Sequence, residues 1–550
     1  MLMSLSLAAR NKLKDLVVCL ALGDVGFLER WYELEQTHAR AINYFRDAPA
    51  DQTLLISTLI ASTLLGLLFW LVWISVRRWG TKTLQTAAQC GFFLVLIVYL
   101  EPARQRVVQE GVVSLGRVLF GMELALLAGL ALTITGRLAV LRALRGVTYA
   151  AVFLLPGILI DFVWFHPGSE PAADFKPEPP LSMMQSRLTL SGKPARRLIW
   201  IIFDEFDQRL GFDARPDSVH LPELDRLRSG SVVGTHALQG GNMTDLAIPA
   251  LLMGQALDSS QLVDANTVMV KPSTSSTWVE LQDKSNLFQR ARELGVNTAL
   301  AGWHFPYCRL FGSQLVRCLA TLGGGPEALQ PERQATELGV FKTVAFLFQL
   351  RWDALLDVFD HAGREEQTLA SFAQHRQLEH YMSIRKRGLA DAVDPQIGLL
   401  YLHFPTPHPF AIYDRKRGDY SLSGSTSYLD NLALVDRMVG ELRSALEHAG
   451  LWDATSLLIS GDHGLRPWLW RGERNWTPEM ERLTADGASS TVPFILKLAG
   501  RNHGVVYSEP FSALLSADLI MAVLDGRVST EEEASAWLAR HGSDGSFGAQ

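Results

Sequence analysis

Long apolar runs dominate the first third of the chain. Residues 54–76 form a mostly apolar, charge-free stretch that is long enough to cross a bilayer as a helix. Shorter, interrupted or weaker candidates lie at 84–100, 118–135, 147–165 and 16–32. The pattern predicts a transmembrane domain over residues 1–165 with four or five helices, of which we favour five.

Basic residues set the predicted orientation of these helices. One cluster directly follows the 54–76 stretch and consists of Arg77, Arg78 and Lys82. The other lies between the candidates 118–135 and 147–165 and consists of Arg137, Arg142 and Arg145. Loops rich in Lys and Arg stay in the cytoplasm. The chain is therefore expected to leave the last helix on the periplasmic or extracellular side of an inner (plasma) membrane. Residues 166–196 contain six prolines without a regular apolar period and are predicted to form an extended linker.

Beyond residue 197, short apolar runs alternate with amphipathic segments. Runs typical of buried strands lie at 198–203, 297–301, 397–404, 455–460 and 492–498. Between the runs at 397–404 and 455–460, residues 429–448 repeat apolar side chains at steps of three and four, which indicates one face of a helix. The alternation predicts an α/β domain over 197–526 with a doubly wound, mostly parallel sheet, followed by a C-terminal tail over 527–550.

Residues 327–393 are rich in charged and helix-forming residues and are predicted to be an insertion. Within them, the run 344–359 suits either a helix that faces a protein core, which we favour, or one that lies on a membrane surface. Cys308 and Cys318 lie in a loop that the predicted topology places outside the cytoplasm, where a disulfide is permitted. Such a bond would contribute about 2–3 kcal/mol, and two free thiols are the alternative.

Polar residues follow the predicted strands where each strand ends. Acids and histidines occur there at Asp204, Glu205, His403, His408, Asp462 and His463. Asn242 and the hydroxyl of Thr244 lie in a glycine-led turn before an apolar helix. The carboxyl ends of strands are where open α/β sheets bind ligands. Acid and imidazole groups suit zinc or manganese, and a hydroxyl at a helix amino terminus can attack a bound anion. Each residue also has a plain alternative, since Thr244 is an ordinary helix cap in many proteins and a loop histidine is often incidental.

The order of these residues resembles the alkaline phosphatase/sulfatase superfamily over about residues 197–526. Its most specific mark is Asp453-x-Thr455-x, three apolar residues, and then Ser460-x-Asp462-His463-Gly464. With several predicted spans in front, the arrangement is similar to membrane-anchored phosphoethanolamine transferases and lipoteichoic acid synthases. The spacing Thr244-x4-Pro249 fits these transferases better than sulfatases, whose Cys- or Ser-x-Pro-x-Arg segment is absent.

The resemblance implies a role for each of these residues. One divalent metal, Zn²⁺ or Mn²⁺, would be bound by Asp204 or Glu205 together with Thr244, Asp462 and His463. Thr244 would be the nucleophile, and substrate would be bound by His408, His403 and Asn242. The transferases have another histidine after Asp-His-Gly; Arg466 lies in this region instead, either as a phosphate ligand or as a surface residue.

The resemblance further implies a transferase that carries a phospholipid-derived headgroup, phosphoethanolamine or phosphoglycerol, through Thr244 to an envelope glycan or lipid. One alternative is a membrane-anchored hydrolase of phosphate or sulfate esters. Another is a non-enzymatic sensor or scaffold, against which the presence of Asp204, Thr244, Asp462 and His463 argues. A formal net charge of −6 over 550 residues gives no reason to expect a nucleic-acid partner.

Overall fold

The computed structural model describes residues 7–27, 48–85, 87, 88, 91, 195–264, 267–321, 339–360, 364–471 and 476–542. By its internal contacts the chain divides into two compact units. The first comprises Met1–Arg40, Arg46–Asp174 and Gln330–Leu369, and the second comprises Ala41–Phe45, Phe175–Leu329 and Ala370–Gln550.

The elements are numbered in chain order. The α-helices are α1 (Leu7–Val25), α2 (Ala48–Trp79), α3 (Pro222–Ser229), α4 (Thr244–Met253), α5 (Leu287–Glu293), α6 (Tyr307–Phe311), α7 (Val340–Asp360), α8 (Arg364–Ala392), α9 (Tyr428–His448), α10 (Pro467–Trp470), α11 (Pro478–Leu483), α12 (Ser516–Leu524) and α13 (Glu531–Gly542). The strands are β1 (Arg197–Phe203), β2 (Val232–Leu238), β3 (Leu257–Asp264), β4 (Thr267–Pro272), β5 (Val279–Glu280), β6 (Thr298–Trp303), β7 (Arg317–Thr321), β8 (Leu399–Phe404), β9 (Tyr413–Asp414), β10 (Asp419–Tyr420), β11 (Thr455–Gly461), β12 (Thr491–Lys497), β13 (Val505–Tyr507) and β14 (Phe511–Ser512).

In the first unit, α1 and α7 each pack against α2. A Cβ at Gly23 would lie 2.2 Å from the carbonyl oxygen of Ser62, so small residues let α1 and α2 approach closely. Among the described residues, Leu55–Trp79 is the one helical stretch long and apolar enough to cross a membrane. The predicted spans 118–135 and 147–165, most of 84–100 and nearly all of the linker lie outside the described residues.

The second unit is built on a nine-stranded sheet in the order β13-β2-β12-β11-β1-β8-β6-β7, with β14 also paired to β2. In this sheet β12 runs antiparallel to its neighbours β11 and β2, and the other pairs are parallel. The predicted mostly parallel α/β fold is confirmed. Every residue of the central strand β1 is buried, as expected for a strand covered on both faces.

Side chains of β1 alternate between two hydrophobic cores. Leu198, Trp200 and Ile202 pack with residues of α4, α5, α12 and α13 on one face of the sheet. Residues between them pack with α3, α8 and α9 on the other. Burying a side chain of this size contributes about 1.5–3 kcal/mol, so this alternation fixes which face each strand turns to each helix layer.

Several elements differ from the sequence predictions. The segment 527–550 was predicted to be a tail, but α13 buries Trp537 and Leu538 in the same core as the sheet. Strand β2 escaped prediction because Gly234, Thr235 and His236 interrupt its apolar run. The predicted disulfide between Cys308 and Cys318 is present.

Candidate active site

Four predicted residues converge at the carboxyl end of the central strands. The Thr244 hydroxyl lies 3.1 Å from Oδ2 of Asp204 and 3.3 Å from Nε2 of His463. The same Nε2 lies 3.6 Å from Oδ1 of Asp204 and 3.4 Å from Oδ2 of Asp462. All four side chains are buried. Residues that are more than two hundred positions apart in the sequence therefore form one polar cluster.

Strand register explains why the acids meet. Phe203 of β1 pairs with Gly461 of β11, so the residues that follow these two strands leave the sheet at the same level. Asp204 comes directly after the first strand, and Asp462 and His463 come directly after the second. These residues lie at the carboxyl ends of the strands, which is where the sequence analysis expected the ligand-binding residues.

Close backbone contacts hold the two loops of the cluster. A Cβ at Gly241 would lie 2.9 Å from the amide nitrogen of Ala247, so the turn before α4 requires glycine there. The amide of Gly464 donates to Oε1 of Gln239 at 2.9 Å, which ties the Asp-His-Gly loop to the chain after β2. Together these contacts set Thr244 opposite His463.

The charge in the cluster is not compensated by its own hydrogen bonds. Burial, and next the nearby Asp462 carboxylate, raises the pKa of Asp204 well above its usual range. Within the described part of the chain, Oδ1 of Asp204 and Oδ2 of Asp462 have no hydrogen-bond partner. Buried carboxylate oxygens without partners are costly, so the site is suited to a positive ion.

The His463 ring presents a lone pair to this cluster. Its Nδ1 lies 3.0 Å from the carbonyl oxygen of Gly464, which can only accept, so the ring hydrogen is on Nδ1. Burial lowers the pKa of His463 to about 4, which keeps the imidazole neutral. A neutral imidazole whose other nitrogen is fixed by a backbone carbonyl is the usual form of a metal ligand.

The donor set fits one divalent metal. Ligand atoms of Asp204, Asp462 and His463 all lie within 4.8 Å of one another. A tetrahedral ion bound at the usual 2.0–2.2 Å separates its ligands by about 3.4 Å. The distances given above for these residues and Thr244 lie close to that separation. Oxygen and imidazole donors suit zinc or manganese alike.

Of the two acids predicted as alternative metal ligands, Asp204 belongs to the cluster and Glu205 does not, within the described residues. Its backbone is left-handed, with φ of 61°, so its side chain departs from the direction of Asp204. Its carboxylate accepts from Nε of Arg466 at 2.7 Å and from the indole of Trp470 at 2.9 Å. Burial raises the pKa of Glu205 to about 7.

Arg466 lies beside the cluster rather than on the surface. Its side chain is buried and paired with Glu205. Although burial dominates the pKa of both Asp204 and His408, the Arg466 charge lowers both values, so the guanidinium is close to both groups. The surface alternative for Arg466 is excluded.

The two predicted histidines after β8 have different surroundings. His403 is fully buried, with Nδ1 2.8 Å from the Tyr307 hydroxyl and Nε2 3.8 Å from Oδ2 of Asp204. His408 donates from Nδ1 to the carbonyl of Pro409 at 2.7 Å, and burial lowers its pKa well below the usual value. Asn242, in contrast, is exposed in the turn that precedes Thr244.

Sequence reasoning missed His304, which directly follows β6. Its backbone is left-handed, with φ of 66°, and its Nε2 lies 3.3 Å from Oδ1 of Asp245, the neighbour of Thr244. Burial is the main cause that lowers the pKa of His463 and His403, and His304 lies close enough to contribute to both. The signal was present, but the predicted strand ended at residue 301 and the observed one ends at Trp303.

Comparison with known proteins gives one family match. The family model described as Sulfatase matches residues 386–526, which contain His403, His408, Asp462 and His463. No curated protein matches the chain.

Among solved structures, the chain is similar to Ps i-CgsB, with 18% identity, a TM-score of 0.40, and coverage of 62% of this chain and 74% of that one. Phosphonate monoester hydrolase SpPMH from Silicibacter pomeroyi has 14% identity, a TM-score of 0.36 and coverage of 60% and 73%. Lipoteichoic acid synthase LtaP from Listeria monocytogenes has 11% identity, a TM-score of 0.35 and coverage of 62% and 78%. The Sulfatase match covers residues 386–526, about a quarter of the chain, and supports an enzyme of the alkaline phosphatase/sulfatase superfamily.

Proposed function

We propose that the protein is a membrane-anchored, metal-dependent transferase. It moves a phospho-headgroup, phosphoethanolamine or phosphoglycerol, from a phospholipid through Thr244 to a glycan or lipid of the cell envelope. The observation that carries this proposal is the Thr244 hydroxyl, which lies between Asp204 and His463. Its alternative role as a helix cap is not supported, because the residue at the cap position of α4 is Met243.

The proposed metal site consists of Asp204, Asp462, His463 and the Thr244 hydroxyl. An ion bound there would polarise the substrate phosphate and lower the pKa of the hydroxyl. The Arg466 guanidinium, which Glu205 holds beside the cluster, would stabilise the negative charge of the phosphate.

In the first proposed step, Oγ1 of Thr244 attacks phosphorus and the bond to the diacylglycerol oxygen breaks. Asp204 accepts the hydrogen bond of Thr244 and is placed to take its proton, which then passes to the departing oxygen. Diacylglycerol is released, and the headgroup stays on Thr244 as a phosphodiester. Positioning of the two reacting atoms supplies much of the acceleration in such reactions.

In the second proposed step, a hydroxyl of the acceptor attacks the same phosphorus. His408 would take the acceptor proton: burial lowers its pKa and keeps the imidazole neutral until that step, its Nδ1–H is held by the Pro409 carbonyl, and its Nε2 keeps a lone pair. The proton is returned to Oγ1 of Thr244 as the phosphodiester bond breaks. The enzyme is restored, and the headgroup is attached to the acceptor.

Two observations support a place at the membrane, with the catalytic unit outside the cytoplasm. The apolar stretch within Leu55–Trp79 has 28% of its residues buried, whereas the core helix of a soluble protein is mostly buried. The Cys308–Cys318 disulfide is typical of an oxidising compartment. We propose a multi-pass inner-membrane protein with its catalytic unit on the periplasmic or extracellular face.

A membrane-anchored hydrolase is the second candidate, and the family match described as Sulfatase favours it. Water would then replace the acceptor hydroxyl in the second step, and phosphate or sulfate esters would be the substrates. The first step through Thr244 would be common to both candidates.

Mass spectrometry of the purified full-length protein, mixed with phospholipid, tests the proposal. We expect an added headgroup mass on the peptide that contains Thr244, and none in Thr244→Ala. With an acceptor present, the headgroup should appear on it; its release in free form would establish the hydrolase instead. A headgroup mass that persists in Thr244→Ala would contradict both candidates.

A further inference from the structure

Helix α7 turns its large aromatic side chains outward. Phe341 is 88% exposed and Trp352 is 60% exposed, and Ala345 between them is also exposed. At 3.6 residues per turn, Phe341 and Trp352 point in directions about 20° apart, so they share one face of the helix.

The opposite face of α7 is buried and carries Leu347 and Leu350. The charged residues Arg351 and Asp353, which lie on either side of the exposed face, are buried as well. Asp353 accepts a hydrogen bond from Thr368 at 2.7 Å. A helix on a water-exposed surface normally shows the reverse order, with its charges outside and its large apolar groups inside.

Helix α7 is held against the candidate span α2 within the first unit. Its first residue, Val340, accepts a hydrogen bond from the Ser57 hydroxyl of α2 at 3.4 Å. Further along, Phe348 makes an edge contact with Phe27, which follows α1. The surroundings of α7 are therefore the helices proposed to anchor the protein.

The depth of α7 follows from its charges and its attachment point. Lys342, Asp357 and Asp360 make it too polar to cross a bilayer. Ser57 lies at the opposite end of α2 from Arg77 and Arg78, and the positive-inside tendency assigns that basic end to the cytoplasm. The attachment point is then at the outer face, where tryptophan is enriched and a lysine can extend toward the headgroups.

We propose that α7 is an interfacial membrane helix, with Phe341, Ala345 and Trp352 inserted among the acyl chains of the outer leaflet. This proposal rests on the membrane anchoring in the proposed function but not on the chemistry at Thr244. Leu64, Leu68 and Leu71 on α2 are similarly exposed, at 47%, 53% and 52%. If α2 crosses the membrane as proposed, lipid covers these leucines, and the same lipid would cover the exposed face of α7. Insertion of α7 would give the part of the chain between β7 and α8 its own attachment to the membrane.

Site-directed spin labelling of the full-length protein in phosphatidylethanolamine/phosphatidylglycerol vesicles tests this. Single cysteines are placed at 341, 345 and 352, with Cys19 and Cys90 replaced by alanine and the disulfide kept. Leu68→Cys on α2 is the lipid reference. Val506→Cys, an apolar side chain 68% exposed on β13, is the matched control in the second unit. Equal melting temperatures confirm that the labelled proteins are folded.

We expect labels at 341, 345 and 352 to collide with oxygen rather than with a water-soluble nickel chelate, at a ratio several-fold above that at 506. The chelate reaching 352 as readily as 506 would place the face in water and overturn the proposal. Exclusion of both reagents would show a protein contact and would also overturn it. If the label at 68 is itself in water, the membrane anchoring fails too, whereas loss of the Thr244 adduct alone would leave α7 unaffected.

Discussion

Asp204 and Glu205 are neighbours after the same strand, and their surroundings show what the site requires. Both are fully buried, and burial raises the pKa of both. Glu205 is satisfied within the protein, since Arg466 and Trp470 each donate to it. Asp204 instead faces a second carboxylate, and its Oδ1 has no hydrogen-bond partner within the described residues.

The difference separates a structural pair from a reactive cluster. A buried ion pair with its hydrogen bonds in place needs nothing more, and removing one partner leaves an uncompensated charge. Two buried carboxylates beside a neutral imidazole require a cation from outside. We therefore propose that Glu205 holds Arg466 in place, and that Asp204 binds the metal and positions Thr244.

The largest effect is expected at Thr244, which depends on Asp204. Thr244→Ala should lower turnover about a thousandfold or more, as removal of a nucleophile does, with little change in the melting temperature. Thr244→Ser keeps the hydroxyl and should retain part of the rate, which makes it the matched control. Steady-state transfer assays check both variants, and an active Thr244→Ala enzyme would contradict the assigned role.

The next effect tests the two carboxylates against each other. Asp204→Asn should weaken metal binding by more than about a hundredfold, since even indirect supporting residues of metal sites contribute 10–100-fold. Glu205→Gln should bind the metal nearly as the wild type does. Titration calorimetry with Zn²⁺ or Mn²⁺ measures both. An equal loss of metal affinity in the two variants would contradict the separate roles proposed for Asp204 and Glu205.

A stability measurement tests whether Glu205 and Arg466 form a structural ion pair. Glu205→Ala should lower the free energy of unfolding by about 3–5 kcal/mol, because the buried Arg466 charge loses its partner. The double variant Glu205→Ala/Arg466→Met removes both charges and should recover much of that loss. Denaturant unfolding measures these changes, and a Glu205→Ala variant as stable as the wild type would show that the pair is not a structural one.

The pH dependence of stability in the metal-free protein tests whether the Asp204 carboxylate lacks a compensating charge. The pKa of Asp204 is raised in the folded state, so its stabilising contribution is present at low pH and is lost as pH rises through the folded value. With chelator present, Asp204→Asn should therefore melt a few degrees above the wild type at neutral pH and show a flatter pH profile. Asp204→Asn melting below the chelated wild type would contradict this sign.

A smaller effect is expected at Asp436, a buried carboxylate outside the site. It accepts from the amide of Leu224 at the start of α3 at 2.8 Å, and burial raises its pKa to about 7. Its contribution should decline as pH rises from about 4 to about 7, independently of metal. Asp436→Asn should remove this decline at a cost of about 1 kcal/mol or less. If metal changed the pH-dependent stability contribution of Asp436, then a response to metal would not distinguish Asp204 from other buried carboxylates.

The sequence was sufficient for the main cluster because a simple rule governs it. Asp204, Asp462 and His463 follow buried strands, and parallel strands in register bring such residues together. The place of Glu205 outside the group of possible metal ligands was not predictable, because its partners Arg466 and Trp470 lie 261 and 265 positions further along the chain. His304 was missed through a strand that extends two residues further than its apolar run suggested.

The position of α7 also required the structure. From the sequence, its apolar run favoured a core-facing helix, with an interfacial helix as the alternative. Only the burial of Arg351 and Asp353 and the exposure of Trp352 distinguish the two faces. Side-chain environment, rather than hydrophobic spacing, carries that information.

The most direct test of the account is an anomalous difference map from crystals of the protein grown with Zn²⁺ or Mn²⁺ and measured at the metal edge. We expect one strong peak within about 2.0–2.3 Å of ligand atoms of Asp204, Asp462 and His463, with the Thr244 hydroxyl beside it. The peak should be absent in Asp204→Asn and present in Glu205→Gln. A peak bound by Glu205 instead, or no peak among these residues, would contradict the account.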